Sequence, residues 1–191
     1  MHLFFDTETT GRPKNPRAQL YDLDNWPRLV QIAWLKYEDN GKLLSSESHI
    51  IKPEGFEIPV DATRIHGITT YKANSIGQDL KTVLQNFSNL IDEANFIIAH
   101  NMSFDEKIVG AEFIRKRVDH ALFQKERICT MEKTTNFCSI DKPSGGGYKW
   151  PKLAELYHKL FETSFEEAHD AAVDAQATAK CFWELKRRRI I

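Results

Sequence analysis

Apolar and polar positions follow two different periods along the chain, and each period predicts a different kind of element. Short apolar runs at residues 2–6 and 95–100 are typical of strands that are buried on both faces of a sheet. Residues 28–37 and 42–52 also predict strands. The segment Glu-Asp-Asn-Gly between them indicates a hairpin turn. The first half of the chain therefore begins with three strands, and residues 12–27, rich in proline and polar residues, predict a loop.

Apolar side chains spaced three or four residues apart predict helices on the rest of the chain. A helical or irregular piece is predicted over residues 61–68, and helices over 75–94, 104–117, 151–161 and 170–186. Residues 128–130 predict a short further strand, and residues 134–149, which contain three consecutive glycines, predict a mobile connection. Three strands, then alternating helices and strands, then two helices favour a mixed-sheet α/β domain with helices packed on it.

Composition narrows the class of protein without deciding its function. The chain has 191 residues, of which 41% are hydrophobic and 28% charged, as in ordinary globular domains. This length favours one domain, covering residues 1–191. The net charge of −1 predicts no globally basic surface. A nucleic acid would therefore have to be bound by a local basic patch and by metal.

The cysteines and the apolar runs indicate the cellular compartment. Cys129, Cys138 and Cys181 are widely spaced and form no motif with zinc-ligand spacing, which favours reduced thiols. No apolar run approaches the ~20 residues that a membrane span needs. The first residues do not have the pattern of a secretion signal. We therefore expect a cytoplasmic protein without a membrane partner.

Acidic residues interrupt or end several of the apolar segments. Asp6 and Glu8 lie in LFFDTETTG, Asp105 in FIIAHNMSFDEKI, and Asp174 in EEAHDAAVDAQATAKCF. Burying unpaired carboxylates is costly, so their convergence makes sense mainly around a divalent cation. Asp6 and Glu8, two apart on a strand, face the same side. If the strand at 95–100 lies parallel beside them, Asp105 emerges at the same end of the sheet. The pattern indicates metal-dependent phosphoryl-transfer chemistry.

The last helix offers two acids, one turn apart. Asp174 shares a face with Ala171, Ala175, Thr178 and Phe182, the face that should pack on the sheet. Asp174 taken alone could equally be a tolerated edge residue. Asp170 suits an N-cap or first-turn acid better. A histidine near such a helix start, here His169, can act as a base over a metal site, although alone it would more often be a surface or capping residue.

Three segments carry a resemblance to a known family. FDTETTG, AHNMSFDEKI and AHDAAVDAQATA closely resemble the three motifs of the DEDDh family of 3′–5′ exonucleases. That family includes the proofreading epsilon subunit of bacterial replicative polymerase, oligoribonuclease and RNase T. RLVQIAW, RIHGIT and KWPKLAELYHKLF extend the similarity over most of the chain. The interval from His169 to Asp174 matches the histidine subgroup rather than the tyrosine one.

The resemblance implies a fold, a cofactor and a set of site residues. It implies a ribonuclease H-like fold with a five-stranded mixed sheet flanked by helices. Two Mg²⁺ or Mn²⁺ ions are implied on Asp6, Glu8, Asp105 and Asp174, with His169 as the general base. The residues implied to contact the terminal nucleotide are Thr7, Thr9, Thr10, His66, Ile68 and Asn101. Taken alone, His66 is about as readily explained as a polar turn residue.

Two segments are longer than the compact family pattern requires. Residues 12–26 and 134–149 are either ordinary surface loops or borders of a nucleic-acid groove. In the second case charge and stacking surfaces would come from Arg12, Lys14, Arg17, Tyr148, Lys149 and, directly after the second segment, Trp150.

We weigh three functions on this sequence. The first is a metal-dependent 3′–5′ exonuclease that hydrolyses single-stranded DNA or RNA ends to nucleoside 5′-monophosphates. The second is a non-catalytic binding module, such as a polymerase-associated subunit, which the intact set of five site residues disfavours. The third is an endonuclease of the broader ribonuclease H-like class, disfavoured by the histidine-plus-acid third motif. The expected partner is a single-stranded DNA or RNA 3′ end, and a DNA polymerase acting in trans is a second candidate partner.

Overall fold

The structure is a computed structural model that describes residues 1–165 and 169–191. Within these ranges the chain forms five strands and eight α-helices. The strands are β1 (His2–Thr9), β2 (Leu29–Tyr37), β3 (Leu43–Ile50), β4 (Phe96–Ala99) and β5 (Glu126–Cys129). The helices are α1 (Val60–His66), α2 (Thr70–Ile76), α3 (Leu80–Glu93), α4 (Met102–Lys116), α5 (Thr130–Lys133), α6 (Thr135–Cys138), α7 (Leu153–Phe161) and α8 (Ala171–Arg187).

The strands form one mixed sheet in the order β3-β2-β1-β4-β5. The first three strands pair antiparallel, whereas β4 pairs parallel with β1 and β5 parallel with β4. The predicted five-stranded mixed sheet is confirmed. β4 lies parallel beside β1, which was the condition for bringing Asp105 to the same end of the sheet as Asp6 and Glu8. β4 pairs only with the first residues of β1, from His2 to Phe4. The carboxyl half of β1 therefore extends past the end of β4.

The two faces of the sheet are covered by different helices because side chains alternate along each strand. Leu3 and Phe5 pack with α3 and α4. Phe4 faces the other way and packs with α8, whose alanines at 171, 175 and 179 are fully buried. These small side chains recur every four residues, so one stripe of α8 lies directly against the sheet.

A buried ion cluster fixes α4 against the start of β2. Glu112 is fully buried and accepts hydrogen bonds from Arg28 Nε at 2.8 Å and from the Leu29 amide at 3.1 Å. Arg115, one turn away on α4, lies 3.0 Å from the same carboxylate oxygen. A carboxylate without solvent needs such partners. The cluster thereby sets the position of α4 relative to β1 and β2.

The prediction of one helix over residues 75–94 is wrong at its start. The chain forms α2 and α3 instead, and Ile76 ends α2 with 61% of its surface exposed. Gly77 interrupts the helical path, and Asp79 caps α3 by accepting from the Thr82 amide at 2.8 Å. The apolar stripe of α3 therefore begins at Leu80.

Other boundaries differ by smaller amounts. The strand predicted at 128–130 is β5, which ends at Cys129. The segment predicted as a mobile connection over 134–149 contains α6 and a bridge between Asp141 and Tyr148. Its three glycines all have positive φ, which lets the chain turn between the two bridge residues.

No helix in the described parts of the chain combines the length and the apolar character that crossing a membrane would require.

Candidate active site

The carboxyl end of β1 presents two acids to the start of α8. Asp6 and Glu8 lie on the same face as Phe4, the face that α8 covers. Asp174 lies in the first turn of α8. One carboxylate oxygen from each of the three lies within 4.8 Å of the others. Oxygen ligands clustered in this way suit a hard divalent cation.

Asp105 approaches from the opposite side of the sheet. It lies in the first turn of α4, is 3% exposed, and accepts a hydrogen bond of 2.6 Å from the Thr7 hydroxyl. Thr7 is buried on the face of β1 opposite to Asp6 and Glu8. Asp105 can reach this position because β4 ends at Ala99, short of the end of β1.

The clustered charges raise the pKa values of the acids. The pKa of Asp6 lies well above its usual range, mainly because the group is buried, and then because of the charges of Asp105, Asp174 and Glu8. Burial, with Asp174 and Asp105, raises the pKa of Glu8 to about 8. Burial also raises the pKa of Asp105 to about 7, although the Thr7 hydrogen bond opposes that rise. Without a cation this end of the sheet tends to hold protons, and a bound cation would replace them.

Asp170 has the capping role predicted for it. Its side chain accepts from the Ala172 amide at 2.9 Å and so caps α8. Gln31 of β2 donates to Asp170 at 3.2 Å and accepts from the Ala171 amide at 3.2 Å. Because Gln31 pairs with Glu8 across the strands, these two bonds fix the start of α8 beside Glu8. Gln31 was not predicted as a site residue, although it is the one polar residue in the apolar run LVQIAWL.

His169 lies at the edge of a cavity of about 450 Å³ that Asp6 and Asp174 also line. Its side chain is exposed, and its backbone has a φ of 40°, in the left-handed region. Residues 166–168, the part of the third motif that precedes it, lie outside the described residues. The structure therefore brings the predicted base to the same cavity as two of the predicted metal ligands.

The residues predicted to contact the terminal nucleotide occupy several environments. His66 ends α1, is 8% exposed, and accepts from the Ile68 amide through Nδ1 at 3.1 Å. Burial lowers the pKa of His66. The side chain of Ile68 is 2% exposed and packs in a small apolar cluster with Val30 and Ala73.

The threonines that follow Glu8 shape the turn after β1. Thr9 is buried and donates from its hydroxyl to the Gly11 carbonyl oxygen at 2.7 Å. The Thr10 hydroxyl accepts from the Arg28 amide at 2.9 Å. The pairing register of β1 with β2 shifts between Glu8 and Thr9. Such an irregularity at the end of a strand redirects the side chains beside it.

The cavity also has lining residues without a role in the sequence-based prediction. These are His100 and Lys152, which line it beside Arg12 and Asn101, two residues that the sequence did indicate. His100 donates from Nε2 to the Pro151 carbonyl oxygen at 3.0 Å, and its Nδ1 lies 2.9 Å from the Thr130 hydroxyl. Burial lowers the pKa of His100 to about 4, so the ring is neutral and links the end of β4 to the entry of α7. The signal in the sequence that could have indicated His100 is its place in the segment AHN, next to Asn101.

Comparison with known proteins places this geometry among nucleases. A model of the exonuclease (RNase T) family matches residues 3–182. The PolC-type DNA polymerase III of Mycoplasmopsis pulmonis is 23% identical over 143 residues, which are 75% of this chain and 9% of the polymerase.

Solved structures of Escherichia coli exonuclease I share the fold. A zinc-bound complex with single-stranded DNA has a TM-score of 0.76 at 21% identity, over 99% of this chain and 41% of that one. A complex with a dT13 oligonucleotide has a TM-score of 0.76 at 21% identity, over 98% of this chain and 41% of that one. The chain thus spans well under half the length of these relatives. The five-stranded ribonuclease H-like architecture implied by the sequence is the architecture they share.

Proposed function

This chain belongs to the exonuclease family, and from that premise we propose that it is a 3′–5′ exonuclease. Its substrates are single-stranded DNA or RNA ends, and its products are nucleoside 5′-monophosphates. The observation that supports the proposal most directly is that carboxylate oxygens of Asp6, Glu8 and Asp174 lie within 4.8 Å of one another at the carboxyl end of β1. We assign residues 1–191 to one exonuclease domain.

The acids are proposed to hold two divalent cations, Mg²⁺ or Mn²⁺. Asp6, Glu8 and Asp174 would be direct ligands, with Asp105 as the fourth acid. The raised pKa of Glu8, about 8, supports a metal site. A buried group of carboxylates is stable in its charged form only when a cation lies beside it. When bound, the ions supply charge stabilisation at the attacking and leaving oxygens and make a water molecule more acidic. The zinc-bound form of E. coli exonuclease I is consistent with a metal-binding fold.

The remaining roles are assigned to side chains around the cavity. His169 would take the proton of the attacking water, since it lies at the mouth of the cavity that Asp6 and Asp174 line. Thr7 would orient Asp105 through the 2.6 Å hydrogen bond. The terminal nucleotide would lie against the Thr9–Thr10 turn, with contributions from His66, Ile68 and Asn101. Its 3′-hydroxyl would then lie near Glu8.

The substrate class follows from the neighbours and from stacking energetics. The structures of E. coli exonuclease I contain single-stranded DNA, which makes single-stranded DNA the first substrate to test. A terminal base must leave its stack to enter a pocket, which costs a few kcal/mol in a duplex and much less in a single strand. The relative named as a PolC-type DNA polymerase III supports a DNA polymerase as a partner to test.

The test is a time course on 5′-labelled single-stranded DNA and RNA with Mg²⁺, Mn²⁺ or EDTA. We expect a descending ladder of shortened strands with either metal and none with EDTA, and 5′-monophosphates as products. A 3′-phosphorylated copy should persist because its extra charge would face Glu8. Cleavage of a closed circular strand, or 3′-monophosphates as products, would contradict the proposal.

A second arm tests the base. His169→Ala should lower the rate by ~10²–10⁴, the range for loss of a general base. The same variant should keep the rise in melting temperature that Mn²⁺ gives the wild type. Turnover of His169→Ala near that of the wild type would remove His169 from the mechanism.

A further inference from the structure

A second cavity adjoins the one that contains the acids. It has a volume of about 550 Å³ and shares Arg12 and Asn101 with the cavity lined by Asp6, His169 and Asp174. Its other walls come from the segment 12–26, from the start of α4, and from Trp150. Arg12 and Asn101 therefore join the two cavities.

The wall formed by residues 12–26 is held in place by internal bonds. The Asn25 side chain bonds the backbone of Asn15 twice, at 2.7 and 3.0 Å. The indole of Trp26 donates to the Gln19 carbonyl oxygen at 3.1 Å. Lys107 of α4 donates to the Pro16 carbonyl oxygen at 2.9 Å. The segment is thus a preformed wall, which lowers the ordering cost of binding a ligand against it.

Trp150 also lines this cavity, with 63% of its surface exposed. The backbone on both sides of it is fixed. The Lys149 amide donates to the Ile140 carbonyl oxygen at 2.8 Å, and the Pro151 carbonyl oxygen accepts from His100 at 3.0 Å. An exposed indole on a fixed backbone is a surface on which a flat apolar group can stack.

The charge of this cavity is opposite to that of the neighbouring acidic cluster. Arg12 and Lys107 line it, and none of the described residues that line it is acidic. Lys107 also lies over the ring of Trp26, 5.3 Å from its centre. Cationic side chains beside exposed aromatic surface are the combination that binds single-stranded nucleic acid without sequence preference.

We propose that this cavity binds an interior nucleobase of the substrate strand, on the 5′ side of the bond that is cut. The base stacks on Trp150, and Arg12 and Lys107 neutralise the adjoining phosphates. The assignment rests on the proposed exonuclease function, because an exonuclease site ends at the terminal nucleotide. Only the 5′ continuation of the strand extends beyond the acids, and Arg12 and Asn101 connect the two cavities.

Binding in EDTA tests this inference separately from hydrolysis. The probe is a 5′-fluorescein-labelled single-stranded 12-mer, and its anisotropy reports affinity for the full chain. Trp150→Ala should bind roughly 5- to 150-fold more weakly, the loss expected for one stacked base. Trp150→Phe should restore most of the affinity. Tyr21→Ala is the matched control, since Tyr21 is 75% exposed in the segment 12–26 but does not line the cavity, and it should bind as the wild type does.

A series of strands with a single abasic position locates the base. At one interior position the abasic strand should bind the wild type more weakly, and at that position Trp150→Ala should cause no further loss. If the two losses coincide at the 3′-terminal position, or if Trp150→Ala binds the intact strand like the wild type, the inference is wrong. If the wild type binds as expected but never shortens a strand with metal, the exonuclease proposal fails while the stacking site stands.

Discussion

Asp170 and Asp174 lie one turn apart at the start of α8, yet their side chains have different environments. Asp174 approaches Asp6 and Glu8, whereas Asp170 caps the helix. Asp174→Asn should therefore remove nearly all nuclease activity. Asp170→Asn should keep most of it, because an asparagine side chain can still accept from the Ala172 amide.

Without metal, Asp174→Asn should also change the stability of the protein. Asp174→Asn removes one charge from a cluster in which the carboxylates repel each other. It should melt higher than the wild type in EDTA, as relief of strain at a functional site often allows. Activity is measured on the 5′-labelled strand and melting by circular dichroism. An inactive Asp170→Asn beside an active Asp174→Asn would reverse the assignment of the third motif.

Thr7 is a residue whose hydroxyl acts through another residue. Its hydrogen bond lowers the pKa of Asp105 against the effect of burial, so it favours the charged carboxylate. Thr7→Val keeps the shape and removes the donor. We expect its affinity for Mn²⁺ to fall by about 10- to 100-fold, as for other groups that orient a metal ligand. Thr7→Ser, which keeps the hydroxyl, should retain near-wild-type affinity. Equal affinities of Thr7→Val and the wild type would exclude this positioning role.

At the scale of elements, the site depends on how α8 meets β2. Gln31→Leu removes both bonds to the start of α8, from Gln31 to Asp170 and from Ala171 to Gln31. Each such bond contributes about 1 kcal/mol, so the melting temperature should fall by a few degrees. The turnover rate should fall by roughly tenfold because Asp174 is no longer held beside Glu8.

The matched control for Gln31 is Ser48→Ala. Ser48 on β3 is a third partner of Gln31, at 3.0 Å, and this bond is separate from the two that join Gln31 to the start of α8. Ser48→Ala should therefore leave turnover unchanged. Loss of activity in Ser48→Ala equal to that in Gln31→Leu would mean that general damage to the sheet, and not the position of α8, explains the effect.

The elements with the clearest local pattern were predicted well. The apolar runs that became β1, β2 and β4 are buried, so their sequence is set by one simple requirement. The contrast between Asp170 and Asp174 was also predictable, because capping and helix periodicity are local properties. The parallel pairing of β1 and β4 was only the condition on which the expected position of Asp105 depended, and the structure meets it.

The predictions that failed, or were not made, depend on contacts between distant parts of the chain. A Cβ at Gly77 would lie 2.2 Å from the Ala73 carbonyl oxygen and 2.6 Å from the Lys52 amide nitrogen. The backbone of Lys52 therefore comes so close that only glycine fits at the position where α2 ends. Asp170, which Gln31 bonds, is 139 residues from it in sequence, and Asp105, which Thr7 bonds, is 98 residues away. No local pattern contains that information.

At the scale of the whole molecule, four acids from the two sides of the sheet meet at the carboxyl end of its central strand, β1. Asp6 and Glu8 face α8, and Asp105 arrives with α4 from the other face. The helices on either side of the sheet cannot move apart to relieve the repulsion between these acids, because they also pack in the apolar core. The repulsion between the acids is therefore a cost to the stability of the entire domain, and it depends on pH and on metal.

That cost predicts how the free energy of unfolding changes with pH. The pKa values of Glu8, about 8, and Asp105, about 7, are raised above their ordinary values of 4.5 and 3.8. A group with a raised pKa in the folded state stabilises that state fully below the ordinary pKa, and the contribution is lost as pH rises to the raised value. The acids should thus make the metal-free protein progressively less stable between about pH 4.5 and pH 8. His66 and His100, whose pKa values burial lowers, act in the opposite direction at acid pH.

A comparison of the wild type with Glu8→Gln in EDTA isolates the acids from these histidines. The melting temperature of Glu8→Gln, relative to the wild type, should rise as pH goes from 5 to 8, because the variant has no charge to acquire. Millimolar Mn²⁺ should raise the melting temperature of the wild type, and by more at pH 8 than at pH 5, since cation and protons compete for the same oxygens. The shift in Glu8→Gln should be smaller. A Mn²⁺ shift of equal size at both pH values, or none in the wild type at either, would contradict a metal site built from these acids.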